Sequence, residues 1–527
     1  MYKYKNFLLF FGLIAVLLLF SVFPVAFDNN DDQVMYLISS GLLSGDRSPY
    51  LLLTNSIIGS ILQTLFSISN SINWYTLYLE LVLLFSFFTV CLLFINYLKT
   101  TMLIKGIILA FLFLGFYAVS FVFLQFTTVA LFSAITSLFI LQFEKRLLLR
   151  TIGSLLFVGL AVLIRKETIY IFLLFSIPIF FRNISSRKSF FLLLFNLLVA
   201  TFVFLMLEWS NNRQQIFQEQ KTYKNIKALD YVAASPVALK STILKKYNYT
   251  EDDIILMQSW FPADHSYQAG HEIYTLAKSL RKVRNLAEVK AEVYKFTKDE
   301  RYVLFVYLLT LLSILLFVRR HYKNVLLHLL LFLSLFFYLV LTYRIPHRIT
   351  FPVLSYLIFQ NIFLLSECTV SDKFKIVLTG IFLLLSGYKF YCTTELIALH
   401  KHYHSVYDAS RNEINKHPEY LFLAADGFPL QYMNAWQKST DNFPAHNLIL
   451  TGWYTCTPDY QRMLSIHHLK NLTSDLKNKK NILVLTDSKQ LQDAYVSVMK
   501  QRYNITCHFE EQKTGFTVLR PKKLVVE

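Results

Sequence analysis

The sequence predicts an all-α polytopic membrane protein of about eleven transmembrane helices, with the amino terminus inside and the carboxyl terminus outside, carrying a small C-terminal extracytoplasmic α/β domain. Three observations predict it. Only 16% of the 527 residues are charged, against roughly 25% in an average soluble domain. Hydrophobic residues make up 55% of the chain, Phe alone contributes 49, and mean hydropathy is +0.43. The apolar residues also fall in runs close to the roughly 20 that a helix needs to cross a hydrocarbon core. The net charge of +18 comes from basic residues scattered between these runs. That scatter excludes a nucleic-acid surface, which would gather them on one face.

Candidate spans cover 7–27, 76–97, 103–120, 123–142, 151–164, 168–181, 189–207, 301–318, 325–343, 349–366 and 374–392. Inside lipid each backbone polar group must bond within its own segment, so these runs are helices. One set of alternate connections carries most of the loop cations, among them Lys99, Lys145, Arg146, Arg187, Lys188, Arg319 and Arg320. The short connections on the other side carry Arg47, Arg165, Lys166, Arg344 and Arg348. The positive-inside rule then puts the amino terminus in the cytoplasm, and residues 28–75, 208–300 and the tail from 393 outside. A membrane domain, 1–392, precedes an outer domain, 393–527. The runs 151–164 and 168–181 flank Arg165-Lys166-Glu167. A hairpin that leaves this triplet at the outer face avoids burying three charges in lipid. The 51–68 stretch reads as an amphipathic helix along the membrane surface, ending near an interfacial Trp74 and Tyr75.

Outside the membrane, Thr250-Glu251-Asp252-Asp253 fits a helix cap with carboxylates on the first turn, or an acidic metal cluster. The tail predicts a helix through His417, then strands at 420–424, 447–451, 482–486, 505–509 and 515–519 with helices between. It has neither a GxGxxG nor a phosphate-binding loop. His400, His402 and His404 alternate along the predicted helix and so do not share one face; exposed histidines beside a membrane is the reading. Cys456 and Cys507 both face outside, where a disulfide can form.

The residues suited to chemistry converge on the outer side. Directly after the first span comes Asp28-Asn29-Asn30-Asp31-Asp32. Three carboxylates at the bilayer edge repel one another and lose hydration, which raises the pKa of at least one and suits it to act as a base. Capping of the helix that runs to Gly41, starting at Asn30 or Asp31, is the alternative reading. The cationic counterpart is Arg344-Ile345-Pro346-His347-Arg348, between two spans. Its guanidinium forks suit phosphate oxygens, and Arg165 and Lys166 lie at the same predicted depth.

Asp31-Asp32-Gln33-Val34-Met35-Tyr36-Leu37-Ile38-Ser39-Ser40-Gly41-Leu42-Leu43-Ser44-Gly45-Asp46 resembles the first outer loop of the GT-C glycosyltransferases, in particular their aminoarabinose-transferase and protein-mannosyltransferase branches. Arg348-Ile349-Thr350-Phe351-Pro352 is similar to the Arg-Tyr-x-x-Pro that opens a late helix in these enzymes, with Ile349 in place of the Tyr. The resemblance implies transfer, with inversion, of a sugar from a polyprenyl-phosphate donor to a hydroxyl of a lipid or glycan acceptor at the outer face of the cell membrane. It implies Asp31 as general base on the acceptor, Asp32 as its support or as an orienting group, and Asp28 as the competing base. Arg348 would stabilise the departing phosphate, helped by Arg344, His347, Arg165 or Lys166. It leaves the cofactor open, since members with and without a divalent metal exist. Two other readings also fit such a chain: a polymerase or ligase of surface glycans using a diphosphate-linked oligosaccharide, and a transporter without chemistry. Transport is the poorer fit, because the charges cluster at the outer boundary and no internal repeat is evident.

Overall fold

The computed structural model describes residues 12, 14, 16, 23–183, 187–212, 244–246, 249–261, 286–317, 322–342, 345–367, 371–437, 443–444, 446–470, 475, 481–512 and 515–526. A two-residue strand β1 (Ala26–Phe27) leads into helices α1 (Asn30–Ser40), α2 (Ser56–Ile68), α3 (Trp74–Tyr97) and α4 (Met102–Val122). Strand β2 (Phe123–Leu124) follows, then α5 (Phe126–Phe143), α6 (Leu147–Ile164), α7 (Thr168–Asn183) and α8 (Arg187–Asn212). The segment between α8 and the next membrane helices contributes α9 (Glu251–Gln258) and α10 (Leu286–Asp299). Helices α11 (Arg301–Phe317), α12 (Tyr322–Thr342), α13 (His347–Ser366) and α14 (Asp372–Lys416) complete the membrane part.

Among the described residues seven helices are long and apolar enough to cross a membrane: α3, α4, α5, α6, α13 and most of α12 and α14. Helix α2, most of α7 and parts of α8 and α11 are shorter apolar helices. The chain is therefore a multi-pass membrane protein. The span predicted at 7–27 falls mostly outside the described residues, and its end is not helical, because Ala26 and Phe27 pair in parallel with Phe123 and Leu124. The hairpin forms as predicted: α6 ends at Ile164, and Arg165 Nε lies 2.8 Å from Glu167 in the turn before α7.

Helices α5 and α13 form the centre, each 89% buried over its span, against 28% for α12. Lipid tails are as apolar as Phe, so packing rather than water exclusion holds such helices together. Aromatic rings supply that packing: Phe143 stacks on Phe363 at 3.9 Å, and Phe94 meets Phe363 at 4.3 Å. A π-helical turn at Phe113–Tyr117 interrupts α4 and shifts the register of the residues that follow it.

Helix α14 has 45 residues. At a rise of 1.5 Å per residue it is about 67 Å long, more than twice the hydrocarbon thickness. Its second half must stand clear of the membrane and carry the tail. That tail holds β3 (Leu421–Ala424), β4 (Leu448–Leu450), α15 (Pro458–Ile466), β5 (Ile482–Leu485), α16 (Lys489–Tyr503), β6 (Cys507–Glu511) and β7 (Pro521–Val526). The sheet order is β4-β3-β5-β7-β6, with β4, β3 and β5 parallel and β7 antiparallel to both its neighbours.

Four of the five predicted tail strands overlap observed ones. The strand predicted at 515–519 does not form, and the last strand is 521–526. Gly515 turns with φ of 89°, and the N–H groups of Thr517, Val518 and Leu519 donate to the Glu413 carboxylate instead of a ladder. Thr250 caps α9 in a reciprocal capping box with Asp253, as the cap reading predicts. The Cys456–Cys507 pair falls on a side chain outside the described residues.

The tail is fastened to the segment around α1. Ala435 N donates to Val25 O at 3.1 Å, Gln33 Nε2 to Gln431 O at 3.1 Å, and Tyr36 OH to Gln437 O at 2.8 Å. Asn73 Nδ2 donates to Ala435 O at 2.7 Å. These bonds cross about four hundred residues of sequence, and those of Tyr36 and Asn73 are buried, where leaving a donor unpaired costs roughly 1–3 kcal/mol each.

Candidate active site

The amino-terminal turn of α1 sets the site. Asn29 caps it, its side chain accepting from Asp31 N at 3.0 Å, and the helix begins at Asn30. Asp28 sits just before the cap, fixed by its own N–H donating to Leu124 O at 2.9 Å. Successive helical residues point about 100° apart, so Asp31 and Asp32 cannot share a direction. The three acids go to three different places.

Asp32 goes inward and is fully buried. Its Oδ1 accepts from Tyr75 OH at 2.8 Å and from Phe126 N at 3.2 Å. The second bond satisfies one of the orphan N–H groups at the start of α5. Asp32 thus ties α1 to α3 and α5. Burial pushes its carboxyl well above the ordinary range, Tyr75 opposes that, and the nearby Asp31 and Asp28 add to it. Its hydrogen bonds and burial fix the start of α1 against α3 and α5 and leave it closed to solvent.

Asp28 lines a cavity of about 400 Å³ together with His347, Lys389 and His400. Burial raises its pKa, while the charges of His347 and Arg348 pull the other way. His347 is oriented from behind: its Nδ1 lies 2.6 Å from Oε1 of Glu300, which also accepts from Thr350 OH at 2.7 Å. Glu300 is 2% exposed. Val119, Phe123, Phe351 and Leu396 supply an apolar wall. The cavity therefore offers basic side chains beside an apolar surface, a combination suited to an anionic headgroup with a hydrocarbon tail.

Asp31 lines a second cavity of about 390 Å³, on the side of the α/β domain. Its Oδ2 lies 3.5 Å from Nη1 of Arg348, and both side chains are partly buried. The walls are Trp260, Asp426, Trp453 and Tyr454 with the ends of β3 and β4. Gln431 borders both cavities, so the α1 terminus and the 430–432 turn form the partition between them. A carboxylate facing one chamber, next to a guanidinium and backed by a cation-lined chamber, can accept a proton on one side while negative charge is held on the other.

Of the residues predicted from sequence, Asp28, Asp31, His347 and Arg348 meet at this partition. Asp32 supports it from the core. Arg344 lies outside the described residues. Arg165 and Lys166 are not among the residues lining either cavity. Arg165 is paired with Glu167 and lies over the Phe126 ring at 5.3 Å. Sequence reasoning missed Glu300, in the turn between α10 and α11, and Lys389, Tyr75 and His400, which come from helices read only as spans or surface. Of the three histidines read as exposed, His400 lines the first cavity and His404 is held by Asp408 at 3.3 Å and Tyr432 O at 3.0 Å. Among the described residues no group of three or more His, Cys, Asp or Glu is arranged to hold a metal ion.

Neither the family models nor the curated proteins contain a match to this chain. Among solved structures, the chain is similar to the crystal structure of ArnT from Cupriavidus metallidurans in the apo state, at 11% identity and a TM-score of 0.39, over 98% of both chains.

Proposed function

We propose that the chain is an integral-membrane glycosyltransferase that moves a sugar from a polyprenyl-phosphate donor to an acceptor hydroxyl at the outer face of the cell membrane, in surface-glycan assembly. The observation that carries this reading is the partition itself: Asp31 beside Arg348, with a cation-lined amphipathic cavity on one side and a polar one on the other.

In this reading the donor phosphate lies in the first cavity near Lys389 and His347, and the prenyl chain follows the apolar wall toward lipid. Asp31 takes the proton of the acceptor hydroxyl. The freed oxygen attacks the anomeric carbon from the face opposite the phosphate, and the bond from that carbon to the phosphate oxygen breaks. The phosphate leaves with the bonding electron pair, so the configuration inverts. Arg348 and His347 stabilise the negative charge that develops, a contribution worth about 3 kcal/mol per lost donor in a dry site. Burial favours the uncharged form of Asp28, which lessens the repulsion a phosphate would meet there.

The test is transfer in purified membranes, from a panel of polyprenyl-phosphate sugars labelled in the sugar. Label passing to an acceptor with wild type and not with Asp31→Asn supports the reading. Loss with Asp28→Asn alone moves the base to the other cavity. Consumption of a diphosphate-linked glycan, with no monophosphate donor used, replaces the reading by a polymerase or ligase.

A further inference from the structure

The second cavity has a construction of its own. Strands β3 and β4 are parallel with Ala424 opposite Leu450, and Thr451 closes their ends by donating from N and OH to Ala424 O. The chain leaves β3 for β4 on one side and later returns as β5 on the other. Such a reversal opens a crevice at the carboxyl ends of parallel strands, the usual place for a ligand in sheets of this kind. Gly427 sits at that edge against the β5 backbone. A Cβ there would lie 2.8 Å from the carbonyl carbon of Leu485.

The opposite wall comes from the segment after α8. Helix α9 is pinned to α16 by the buried Asp253, which Arg502 engages with both Nε at 3.0 Å and Nη2 at 2.8 Å. Right after α9, Trp260 adopts φ of 54°. That left-handed conformation costs about 1–2 kcal/mol for a non-glycine residue, and such strain clusters at ligand clamps. Trp260 and Trp453 give the cavity two indole groups, and Asp31 and Asp426 two carboxylates. The fully buried Tyr454 hydroxyl in its wall has no hydrogen-bond partner among the described residues. No Lys, Arg or His is among the described residues lining it, so an anion is disfavoured. Flat apolar faces with hydrogen-bond acceptors between them match the CH faces and hydroxyls of a sugar ring.

We propose that this cavity binds a saccharide, the acceptor glycan, clamped between Trp260 and the ends of β3 and β4, and presents its hydroxyl to Asp31. The role of Asp31 rests on the transferase reading; the binding of saccharide does not. The α/β domain is then the acceptor-binding half of the site.

The test uses the purified full-length chain in detergent and oligosaccharides released by partial acid hydrolysis of the source cell's own surface glycan, labelled at the reducing end. Equilibrium binding should be saturable for wild type. Trp453→Ala should weaken it about tenfold or more, and the exposed, conservative Asp426→Asn about threefold, the ranges expected for an aromatic platform and for one hydrogen bond. Trp436→Ala, outside the cavity, should leave it unchanged. If Trp453→Ala does not fold, Asp426→Asn decides. No saturable binding to wild type, or equal binding by the cavity variants, overturns the proposal. Donor consumption is followed in the same preparations. Transfer by wild type without cavity-dependent saccharide binding leaves the transferase and removes this inference. Cavity-dependent binding with no donor consumed does the reverse.

Discussion

Two chambers meet at the start of α1, and they differ in the chemistry of their walls. The first joins Asp28 to His347, Lys389 and His400 against an apolar surface built by membrane helices. The second joins Asp31 and Asp426 to two tryptophans and the strand ends of the α/β sheet. Three residues of separation send two similar carboxyls to opposite environments, one among cations and one among aromatics. The acidic motif is thus a divider between the two chambers. Its function follows from what each acid faces and not from how many acids it has.

The largest expected effect comes from removing the carboxylate on the aromatic side. Asp31→Asn should lower the transfer rate by about 10²–10⁴, the range of a lost general base, with donor binding unchanged. Equal losses in Asp28→Asn and Asp31→Asn, measured as initial rates of label transfer, would erase the functional distinction between the chambers. Arg348→Ala comes next, at about 10²–10³. Arg348→Lys should recover only part of this, since a lysine lacks the planar fork. Full recovery would reduce Arg348 to a point charge.

Glu300→Gln sharpens the cationic side. Weakening a hydrogen bond to a charged group costs about 1.5–3 kcal/mol, so kcat should fall about tenfold or more while the donor KM changes less. A rise in donor KM at constant kcat would mean that His347 holds the donor and does not act on the developing charge.

The smallest effect is expected at the acid that faces neither chamber. Asp32→Asn keeps an oxygen for Tyr75 and for Phe126 N, and transfer should stay within about threefold of wild type. Stability supplies the pH test. The folded pKa of Asp32 lies above its unfolded value, so the native state binds the proton more tightly. Stability is then highest at low pH and declines as pH rises from the ordinary carboxylate range through the elevated folded pKa. Thermal unfolding of Asp32→Asn should show a weaker decline over that window than wild type. Parallel profiles would remove Asp32 as a buried neutral acid.

What the sequence made legible was local. The start of α1, the Thr250 capping box and the turn at Arg165–Glu167 follow from rules that act within a few residues, so reading them needs no tertiary information. The acids and the His347-Arg348 turn stood out because charges are scarce in an apolar chain. Glu300 did not stand out, because its meaning depends on His347, 47 residues away. Lys389 and His400 gain theirs from where α14 packs, with His400 against Phe123 of β2, a matter of helix packing. The strand predicted at 515–519 failed for a related reason: a distant carboxylate, Glu413, satisfies the backbone that alternation alone would assign to a ladder. The division into two chambers was likewise hidden, since α1, α9 and the ends of β3 and β4 come from separate parts of the chain.

In the proposed mechanism Asp31, and not Asp28, takes the acceptor proton. Single-turnover transfer of labelled sugar by donor-loaded Asp31→Asn and Asp28→Asn, with donor occupancy measured on the same samples, separates the two acids. Full occupancy is expected in Asp31→Asn with transfer slowed at least about a hundredfold, and measurable transfer in Asp28→Asn once it is loaded. Transfer by Asp31→Asn at the wild-type rate would rule out Asp31 as the base.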